Sequence, residues 1–425
     1  RVLSSLHHMA DPIVVPRSEH SLSRSHIDPD ALKVLYRLHK FDHIAYMVGG
    51  SVRDLLIGRR PKDFDIGTSA HPNQIKRLFR NCWIIGRRFR LAHVKFGPKT
   101  IEVATFRKLV TPGSEGDPDP APPAESESKT QPQPGSRVIQ RDNTFGTPEE
   151  DAFRRDFTVN ALFYDIATFS IIDYVGGLKD LEAGLIRCIG DPGERFLEDP
   201  VRMLRAVALA ARLDFKIERP IMDAIAKHRA EIRQAAPPRM LEELYKILRG
   251  GSAERTLRDL GEARLLAQIS PELHRHRSDA MWRSLHALDA YRARFDSAPA
   301  TLTNPILLGS LVAPIGLLPG RHADPLTLGA LPVARGQVES LRQIISMQDR
   351  LLDPELPERA KRGLTHRSVF DEALTWLEIH GGAPVAHERW RDFVAHMGER
   401  PAPTDRRPRR PRRRRRRKPR TTEES

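Results

Sequence analysis

The sequence predicts an α+β protein, in which a head with a small mixed or antiparallel sheet and helices is followed by an all-α neck and body. Strand-like segments occur in the first half of the chain, for example at residues 44–48 and 100–107. After Arg202 the apolar residues follow helical spacing, as at residues 241–248, and no further strand alternation is evident. These observations predict a sheet-containing head joined to a helical body.

The chain divides into predicted regions of different character. Asp28 and Pro29 resemble a helix start, with a capping residue before a proline at the first position. Residues 109–137 are rich in Pro, Glu, Ser and Gly, which predicts disorder because few large apolar residues are available for burial. We expect an N-terminal extension (1–27), a head (28–165) with a disordered insertion (108–140), a neck (166–250), an all-α body (251–400) and a disordered Arg-rich tail (401–425).

Composition favours a soluble protein of a reducing compartment. No apolar run approaches the length of a membrane span, and a chain of 425 residues allows about two or three domains with sizeable cores. Cys82 and Cys188 form no C-x-x-C pair, and no H-E-x-x-H motif is present, so zinc chemistry is not expected. We therefore predict a cytoplasmic location.

A glycine turn follows the first strand-like segment. Residues 44–48 are typical of a short buried strand, and Gly49 and Gly50 permit a tight turn with close approach of the backbone to a ligand. The next residues suit a short helix that ends at Gly58 and carries Arg53 in its first turn. Because the N-terminal amides of a helix favour an anion, the pattern predicts a site for triphosphate.

Three acidic residues form the candidate catalytic centre. In Asp63-Phe64-Asp65-Ile66 the strand period places both carboxylates on one face and the apolar side chains toward the core. Glu102 lies between β-branched residues and is predicted to point away from them. On adjacent strands, the three carboxylates would hold two Mg²⁺ ions for attack by a hydroxyl and departure of pyrophosphate. Each acidic segment alone is more often solvent-facing, and the upstream glycine turn favours the metal site.

These motifs resemble the polymerase β-like nucleotidyltransferase superfamily, in the branch that contains bacterial tRNA CCA-adding enzymes and bacterial poly(A) polymerases. The resemblance covers most of residues 15–248. It implies that the acidic pair and Glu102 are metal ligands, and that Gly50 and Arg53 contact the incoming nucleotide.

Residues 154–162 match a further segment of that branch. On a predicted helix, Asp156 and Asn160 lie four residues apart on one face and can reach a ribose or a metal-bound water together. The resemblance assigns Arg155 to the triphosphate and places Asp156 and Asn160 at the sugar end of the catalytic site. A helix turn with ordinary surface charges is the alternative.

Residues 198–205 match a second segment. Asp199 can cap a helix that begins at Pro200, with Arg202 and Arg205 at helical spacing. The resemblance implies that Asp199 and Arg202 read the incoming base and that Arg205 belongs to the nucleotide site. A carboxylate accepts from an exocyclic amino group while a guanidinium donates to the adjacent ring nitrogen, which suits adenine and cytosine. This pair alone does not separate an ATP-only polymerase from a CCA-adding enzyme.

Residues 84–94 resemble a signature of bacterial poly(A) polymerases, and residues 15–20 favour the same assignment. The segment is predicted to feed a strand on which Arg87, Arg88 and Arg90 could meet RNA phosphate, although an exposed basic strand is the commoner meaning. The preference for ATP is thus inferred from resemblance.

The C-terminal tail carries most of the excess positive charge. Residues 406–420 contain twelve Arg or Lys and no acid, in a chain of formal net charge +15. Such a run is expected to bind polyanions with salt-sensitive affinity. RNA is the natural partner, and an RNA-decay protein or an anionic membrane surface is the alternative. The tail residues predicted to bind RNA are Arg412, Arg413, Arg414, Arg415, Arg416, Arg417 and Lys418.

With the resemblance, the sequence predicts a template-independent poly(A) polymerase that uses Mg²⁺ and ATP to add AMP to RNA 3′ ends. The nearest alternative is a tRNA nucleotidyltransferase that adds CCA and also uses CTP. A second alternative is an RNA-binding protein whose catalytic head has decayed. Retention of several carboxylates that would repel one another argues against decay.

Overall fold

The computed structural model describes residues 11–86, 90–108, 145–320 and 325–397. Within these ranges the chain forms a mixed sheet, a second small sheet and many helices, which confirms the predicted α+β class. The chain divides into two compact units, residues 1–338 and 339–425. No helix in the described ranges is long and apolar enough to cross a membrane.

The strands of the described residues form one large sheet and one small sheet. They are β1 (Ile13–Val15), β2 (Ala45–Val48), β3 (Ile66–Thr68), β4 (Cys82–Ile85), β5 (Leu91–Phe96), β6 (Lys99–Thr105), β7 (Leu162–Asp165), β8 (Ser170–Asp173), β9 (Leu185–Ile186) and β10 (Lys216–Ile217). The large sheet has the order β1-β8-β7-β2-β3-β6-β5-β4 and is antiparallel except for the β3–β6 pair. The small sheet pairs β9 with β10 in parallel.

The large sheet extends beyond the residues predicted as the head. β1 lies in the predicted N-terminal extension (1–27), and β8 lies in the predicted neck (166–250). The two strands pair with each other at one edge of the sheet. The expectation that no strand follows Arg202 is wrong for β10. A strand of two residues is too short to produce a detectable alternation, which is why the sequence pattern missed it.

The described residues also form nineteen α-helices. They are α1 (Pro29–Lys40), α2 (Gly50–Leu56), α3 (Pro72–Leu78), α4 (Pro148–Phe153), α5 (Gly177–Glu182), α6 (Pro192–Glu198), α7 (Val201–Leu213), α8 (Arg219–His228), α9 (Pro237–Arg249), α10 (Ala253–Glu262), α11 (Leu266–Ile269), α12 (Pro271–Arg275), α13 (Asp279–Arg292), α14 (Asn304–Val312), α15 (Arg335–Ser346), α16 (Gln348–Leu352), α17 (Glu358–Thr365), α18 (Phe370–His380) and α19 (Pro384–His396).

Helices α1 and α3 cover one face of the large sheet. Asp28 caps α1 as predicted, because its side chain accepts from the N–H of Asp30 at 2.9 Å. The apolar stripe of α1 is buried, and α1 contacts β2 and β3 while α3 contacts β4 and β5. The opposite face, at the β3–β6–β5–β4 end, carries the acidic residues of the predicted site.

The second unit has its own apolar core. Phe370 of α18 and Trp390 of α19 are buried, with ring centroids 5.6 Å apart. The indole N–H of Trp390 donates to the Leu351 carbonyl at 2.8 Å. This pairing satisfies the one polar atom that the buried indole ring carries.

Candidate active site

A glycine turn joins β2 to α2 beside the predicted site. Gly49 has a φ of +72°, in the left-handed region, and its N–H donates to the Leu162 carbonyl at 2.9 Å. A Cβ at this position would lie 2.9 Å from Nη1 of Arg155 and 3.4 Å from the carbonyl oxygen of Asn160. The predicted turn and the helix after it are present. The turn needs glycine both for its conformation and for the close approach of Arg155.

Asp63 and Asp65 precede β3 rather than lie on it, so the prediction that a strand carries both is wrong. β3 begins at Ile66, which pairs with Val103 of β6 in parallel register. Pairing between β3 and β6 begins at this residue, so Asp63 and Asp65 lie in the segment just before the strand. Continued by one residue, the register brings Asp65 beside Glu102, as the predicted adjacency requires. Glu102 is exposed, and its two apolar neighbours on β6 are buried, as expected.

The Asp65 carboxyl has a raised pKa. Its side chain still reaches solvent, but the protein packed around it removes water, and Glu102 and Asp63 add like charge. Arg155 opposes these effects without cancelling them, and the pKa of Asp65 is raised to about 6. The carboxylates therefore repel one another in this arrangement.

The carboxylate site, defined as Asp63, Asp65 and Glu102, has the donor chemistry for a hard divalent cation. Carboxylate oxygens are the ligands that Mg²⁺ prefers, and a cation would relieve the repulsion around Asp65. Asp63 forms an exposed ion pair with Lys62 at 3.4 Å, and Glu102 lies 3.5 Å from Nε2 of His93. Among the described residues, no three acidic, His or Cys side chains are already grouped as metal ligands. The residues fit a cation that would draw them closer together.

Arg155 is tethered beside the glycine turn by a buried acidic residue that the sequence analysis missed. Its Nε and Nη2 donate to Oδ2 of Asp151 at 3.1 and 2.9 Å, and its Nη1 donates to the Asn160 carbonyl. Burial alone would raise the pKa of Asp151, but Arg155 and Arg154 hold that pKa below its usual value. The four-residue spacing of Asp151 and Arg155 is the signal that could have identified this pair.

Arg53 is buried and bonded within the protein. Its Nε and Nη2 donate to Oδ1 of Asp54 at 2.8 and 2.6 Å, and its Nη1 donates to Oδ1 of Asn160. Nδ2 of Asn160 in turn donates to Oδ1 of Asp156 at 3.3 Å. The structure thus brings three of the predicted site residues, Arg53, Asn160 and Asp156, into one hydrogen-bonded chain.

Asp156 and Asn160 do not share a helix, contrary to the prediction. α4 ends before Asp156, and Phe157 forms an isolated bridge with Cys188, followed by a single 3₁₀ turn. The backbone groups of Asp156 and Thr158 bond to the residues that flank Cys188. These bonds use the donors and acceptors that an α-helix would need, and for this reason the helical pattern is not realised.

Asp156 is buried in an ion pair with Arg205 of α7. Nη2 of Arg205 lies 2.8 Å from Oδ2 of Asp156, and Oδ1 accepts the N–H of Phe157 at 2.9 Å. Burial alone would raise the pKa of Asp156, but Arg205, Asn160 and the Phe157 N–H hold that pKa below its usual value. The pair ties the segment after α4 to α7, and the catalytic role of Asp156 stays a prediction.

The two residues predicted to read the base lie where α6 meets α7. Oδ1 of Asp199 accepts the N–H of Val201 at 3.2 Å, so the capping contact is present, with α7 starting one residue later than predicted. Both carboxylate oxygens of Asp199 also accept from Arg239, at 2.9 and 2.6 Å. Arg202 donates to Glu198 at 2.7 Å. Asp199 and Arg202 therefore each have a partner that can orient them.

Arg195 is a buried residue that the sequence analysis missed. Its Nη2 donates to the backbone carbonyls of Arg154 and Arg155 at 2.6 and 2.5 Å, and its Nη1 donates to Glu198 at 2.9 Å. The three-residue spacing from Glu198 is its one sequence signal. We refer to five residues as the paired arginines: Arg53, Arg155, Arg195, Arg205 and Arg239.

Most of the predicted RNA-binding residues lie outside the described ranges. Those residues are Arg87, Arg88, Arg412, Arg413, Arg414, Arg415, Arg416, Arg417 and Lys418. Arg90 is described and half-buried, directly before β5. The predicted insertion, residues 108–140, is described only at residue 108.

Comparison with known protein families gives two matches. The Poly A polymerase head domain matches residues 45–187, and the probable RNA and SrmB-binding site of polymerase A matches residues 214–277. Poly(A) polymerase I of Salmonella typhi is 48% identical over 263 residues, which is 62% of this chain and 54% of that protein. The CCA-adding enzyme of Bacillus velezensis is 31% identical over 338 residues, which is 79% of this chain and 76% of that protein.

The crystal structure of the Bacillus stearothermophilus CCA-adding enzyme in complex with CTP has a similar fold. It aligns with a TM-score of 0.58 and 26% identity over 87% of this chain and 83% of that structure. This chain spans about half the length of the poly(A) polymerases that it matches. The head-domain match includes the glycine turn and the carboxylate site. The chain belongs to the family of bacterial poly(A) polymerases and tRNA nucleotidyltransferases.

Proposed function

We propose that this chain is a template-independent poly(A) polymerase, which transfers AMP from ATP to RNA 3′ ends. The 3′-hydroxyl oxygen bonds to the α-phosphorus, the bond from that phosphorus to pyrophosphate breaks, and the hydroxyl proton is lost. The carboxylate site beside the glycine turn supports nucleotidyl transfer. The observation that carries the choice of substrate is the 48% identity with Poly(A) polymerase I, against 31% with the CCA-adding enzyme.

In this proposal Asp63, Asp65 and Glu102 hold two Mg²⁺ ions. When bound, the metal stabilises negative charge on the attacking and leaving oxygens. The protein contributes a concentration of negative charge that attracts cations to the face of the sheet beside β3 and β6. The raised pKa of Asp65 supports this role, because a carboxylate crowded by like charge gains most from a cation.

The glycine turn and two of the paired arginines would hold the triphosphate. A Cβ at Gly49 would meet Arg155 and a Cβ at Gly50 would meet Arg53, so the two glycines let both guanidinium groups lie against the turn. Asp151 fixes the plane of the Arg155 guanidinium with two hydrogen bonds. Arg53 is held by Asp54 in the same way, so little side-chain entropy remains to be lost when a nucleotide binds.

Asp199 and Arg202 would read adenine. Each carboxylate oxygen has two lone pairs, so Asp199 can accept from the exocyclic amino group while it stays bound to Arg239. Arg202 would donate to the ring nitrogen beside that amino group. Guanine and uracil present a carbonyl and an N–H at these positions, which leaves both side chains mispaired. Cytosine satisfies the same pair, so a CCA-adding activity stays the second candidate.

The test uses purified protein with Mg²⁺ and two labelled RNAs, one with a generic 3′ end and one a tRNA that lacks CCA. Each RNA receives ATP alone, CTP alone or both. Long ladders on both RNAs with ATP alone are expected for a poly(A) polymerase. Addition of only C, C and A to the tRNA, with both nucleotides required, would favour the CCA-adding alternative. RNA binding without incorporation on either substrate would favour a decayed enzyme.

Partners and location follow from the same proposal. The Arg-rich tail supports binding of RNA through phosphate and is also a candidate contact for proteins of RNA decay. Cys82 and Cys188 are free and buried, which supports a reducing compartment, and we propose the cytoplasm.

A further inference from the structure

A row of side chains crosses the open face of the large sheet from the carboxylate site to the outer edge strand. Trp83 of β4 pairs directly with His93 of β5, and His93 pairs directly with Glu102 of β6. Residues that pair directly across neighbouring strands project from the same face of the sheet. Asp65 lies next to Glu102 by the parallel register of β3 and β6. We call these four residues the open row.

The spacing of strands sets the length of this row. Neighbouring strands lie about 4.8 Å apart, so the backbone of Trp83 is roughly 10 Å from that of Glu102. A few nucleotides of an RNA strand can span this distance. A base seated on Trp83 would belong to one of the last few nucleotides of an RNA whose 3′-hydroxyl reaches the carboxylate site.

Trp83 is not part of the protein core. Its side chain is 51% exposed, and Ile85, two residues further along the same face, is 48% exposed. The buried side chains of these strands, such as Val94 and Val103, point to the other face, which α1 and α3 cover. A large aromatic side chain exposed beside a catalytic centre is available for contact with a ligand.

A cation accompanies the exposed ring. Nζ of Lys95, on the same face of β5, lies 5.1 Å from the centroid of the Trp83 ring. Among the residues that the structure describes, no carboxylate pairs with this ammonium group. Aromatic rings flanked by cations are the combination that binds single-stranded nucleic acid, by base stacking and phosphate contact.

We propose that Trp83 is a stacking platform for a base near the 3′ end of the RNA substrate, with Lys95 contacting phosphate. This inference rests on the proposed function, because it assigns the RNA path across the same site. The open row then guides the 3′-hydroxyl toward the carboxylate site. In this proposal Trp83 contacts RNA, and ATP is bound by Arg53, Arg155, Asp199 and Arg202.

The first experiment measures tryptophan emission of the full chain with a single-stranded oligoadenylate and no ATP. The contribution of Trp83 is the difference between the wild type and Trp83→Phe. The single-stranded oligoadenylate is expected to protect the Trp83 emission from quenching by acrylamide. A fully paired RNA duplex is not expected to protect it, because its bases are not free to stack on the ring. Equal quenching of Trp83 with and without the oligoadenylate would overturn the proposal, as would a Trp83 already shielded in the free protein.

The second experiment measures RNA extension by variants. Trp83→Ala should raise KM for RNA about tenfold and leave KM for ATP unchanged, whereas Trp83→Phe should keep most of the affinity because stacking persists. Ile13→Ala is the matched control, since Ile13 is an exposed apolar residue (54%) on β1 at the other edge of the sheet. Unchanged KM for RNA in Trp83→Ala would overturn the platform. If the wild type extends no RNA, the proposed function fails, and the acrylamide measurement still decides whether RNA contacts Trp83.

Discussion

The carboxylate site and the paired arginines both concentrate charge, but they handle it in opposite ways. Around the arginines each acidic residue has a guanidinium partner at hydrogen-bond distance, as in the Asp151–Arg155 and Asp156–Arg205 pairs. These contacts lower the pKa values of both aspartates. At the carboxylate site, the neighbours of Asp65 include two like charges, and its pKa is raised.

We interpret the paired arginines as residues that position the site, and the carboxylate site as the group of residues that would bind a cation. A charge that is neutralised within the protein is held in one geometry and stabilises the fold around it. A charge that lies beside like charges lowers the stability of the fold unless a cation is bound there. Substitutions should therefore have opposite effects in the two regions, with activity lost at one and stability lost at the other.

The largest effect is expected at Asp65. Asp65→Asn should lower the rate of AMP incorporation about a thousandfold, because it removes an anionic metal ligand whose contribution is several kcal/mol. RNA affinity should stay within about twofold of the wild type, and the free energy of unfolding should not fall, since the substitution removes repulsion. Primer extension, RNA filter binding and urea denaturation measure the three quantities.

The matched control is Asp223→Asn, which removes an exposed carboxylate that forms a long, 3.8 Å ion pair with Arg219. It should leave extension and stability unchanged. Near-normal extension by Asp65→Asn would contradict the assignment of the carboxylate site.

The next largest effect is expected at Asp156. Asp156→Asn should lower the free energy of unfolding by about 2 kcal/mol, because it removes the charge of a buried carboxylate that pairs with the partly exposed Arg205. Urea denaturation measures the change. In a double-mutant cycle with Arg205→Gln, the two losses should be coupled. Additive losses would mean that the Asp156–Arg205 contact contributes little to stability.

Sequence periodicity was sufficient to predict the strand, glycine turn and helix at residues 44–58, because the apolar pattern and the local glycine agree. It failed at residues 154–162, where helical spacing is present but the backbone bonds to residues on either side of Cys188. Spacing reports which residues would share a helix face. It contains no information on a distant segment that competes for the same backbone groups.

The same limit explains which site residues were missed. Asp151 and Arg195 are buried polar residues that orient others, and their partners are known only once the fold is known. The partner of Asp199 is Arg239, forty residues away on α9. No local pattern connects them. The residues proposed to meet a ligand were named from the chemistry of the motif, whereas the residues that orient them are identified only by the structure.

A third prediction concerns how pH changes the contribution of each region to the free energy of unfolding. In an unfolded chain an aspartate ionises near pH 4, whereas the pKa of Asp65 in the folded protein is raised to about 6. The folded, metal-free protein binds that proton more tightly, so the contribution of Asp65 to the free energy of unfolding falls as the pH rises from about 4 to 6. Urea denaturation in EDTA should show this fall in the wild type relative to Asp65→Asn. Saturating Mg²⁺ should reduce it.

The contribution of Asp156 to the free energy of unfolding should change with pH in the opposite direction, because the pKa of Asp156 is lowered in the folded protein. Its contribution to stability is present above pH 4 and is lost as the pH falls below that value. The difference between the wild type and Asp156→Asn measures this contribution. A pH profile for Asp65 with the same sign as that for Asp156 would remove the distinction between the two regions.

The smallest effect is expected at Arg239, which orients Asp199, the residue that we propose reads the base. Arg239→Lys keeps the charge but loses the two-point contact with Asp199. Since Arg239 is half exposed, the free energy of unfolding should change by less than about 1 kcal/mol.

The effect of Arg239→Lys should instead be seen in nucleotide choice. A carboxylate that is free to rotate accepts less well from the adenine amino group, so KM for ATP should rise about threefold, which corresponds to weakening one hydrogen bond rather than losing it. Discrimination against GTP should fall, because a loosened Asp199 can turn away from the guanine carbonyl. Single-nucleotide incorporation with each triphosphate measures both, and Arg219→Lys on α8 is the matched control. Lower stability with unchanged KM and selectivity would show that Arg239 braces α7 against α9 and has no part in reading the base.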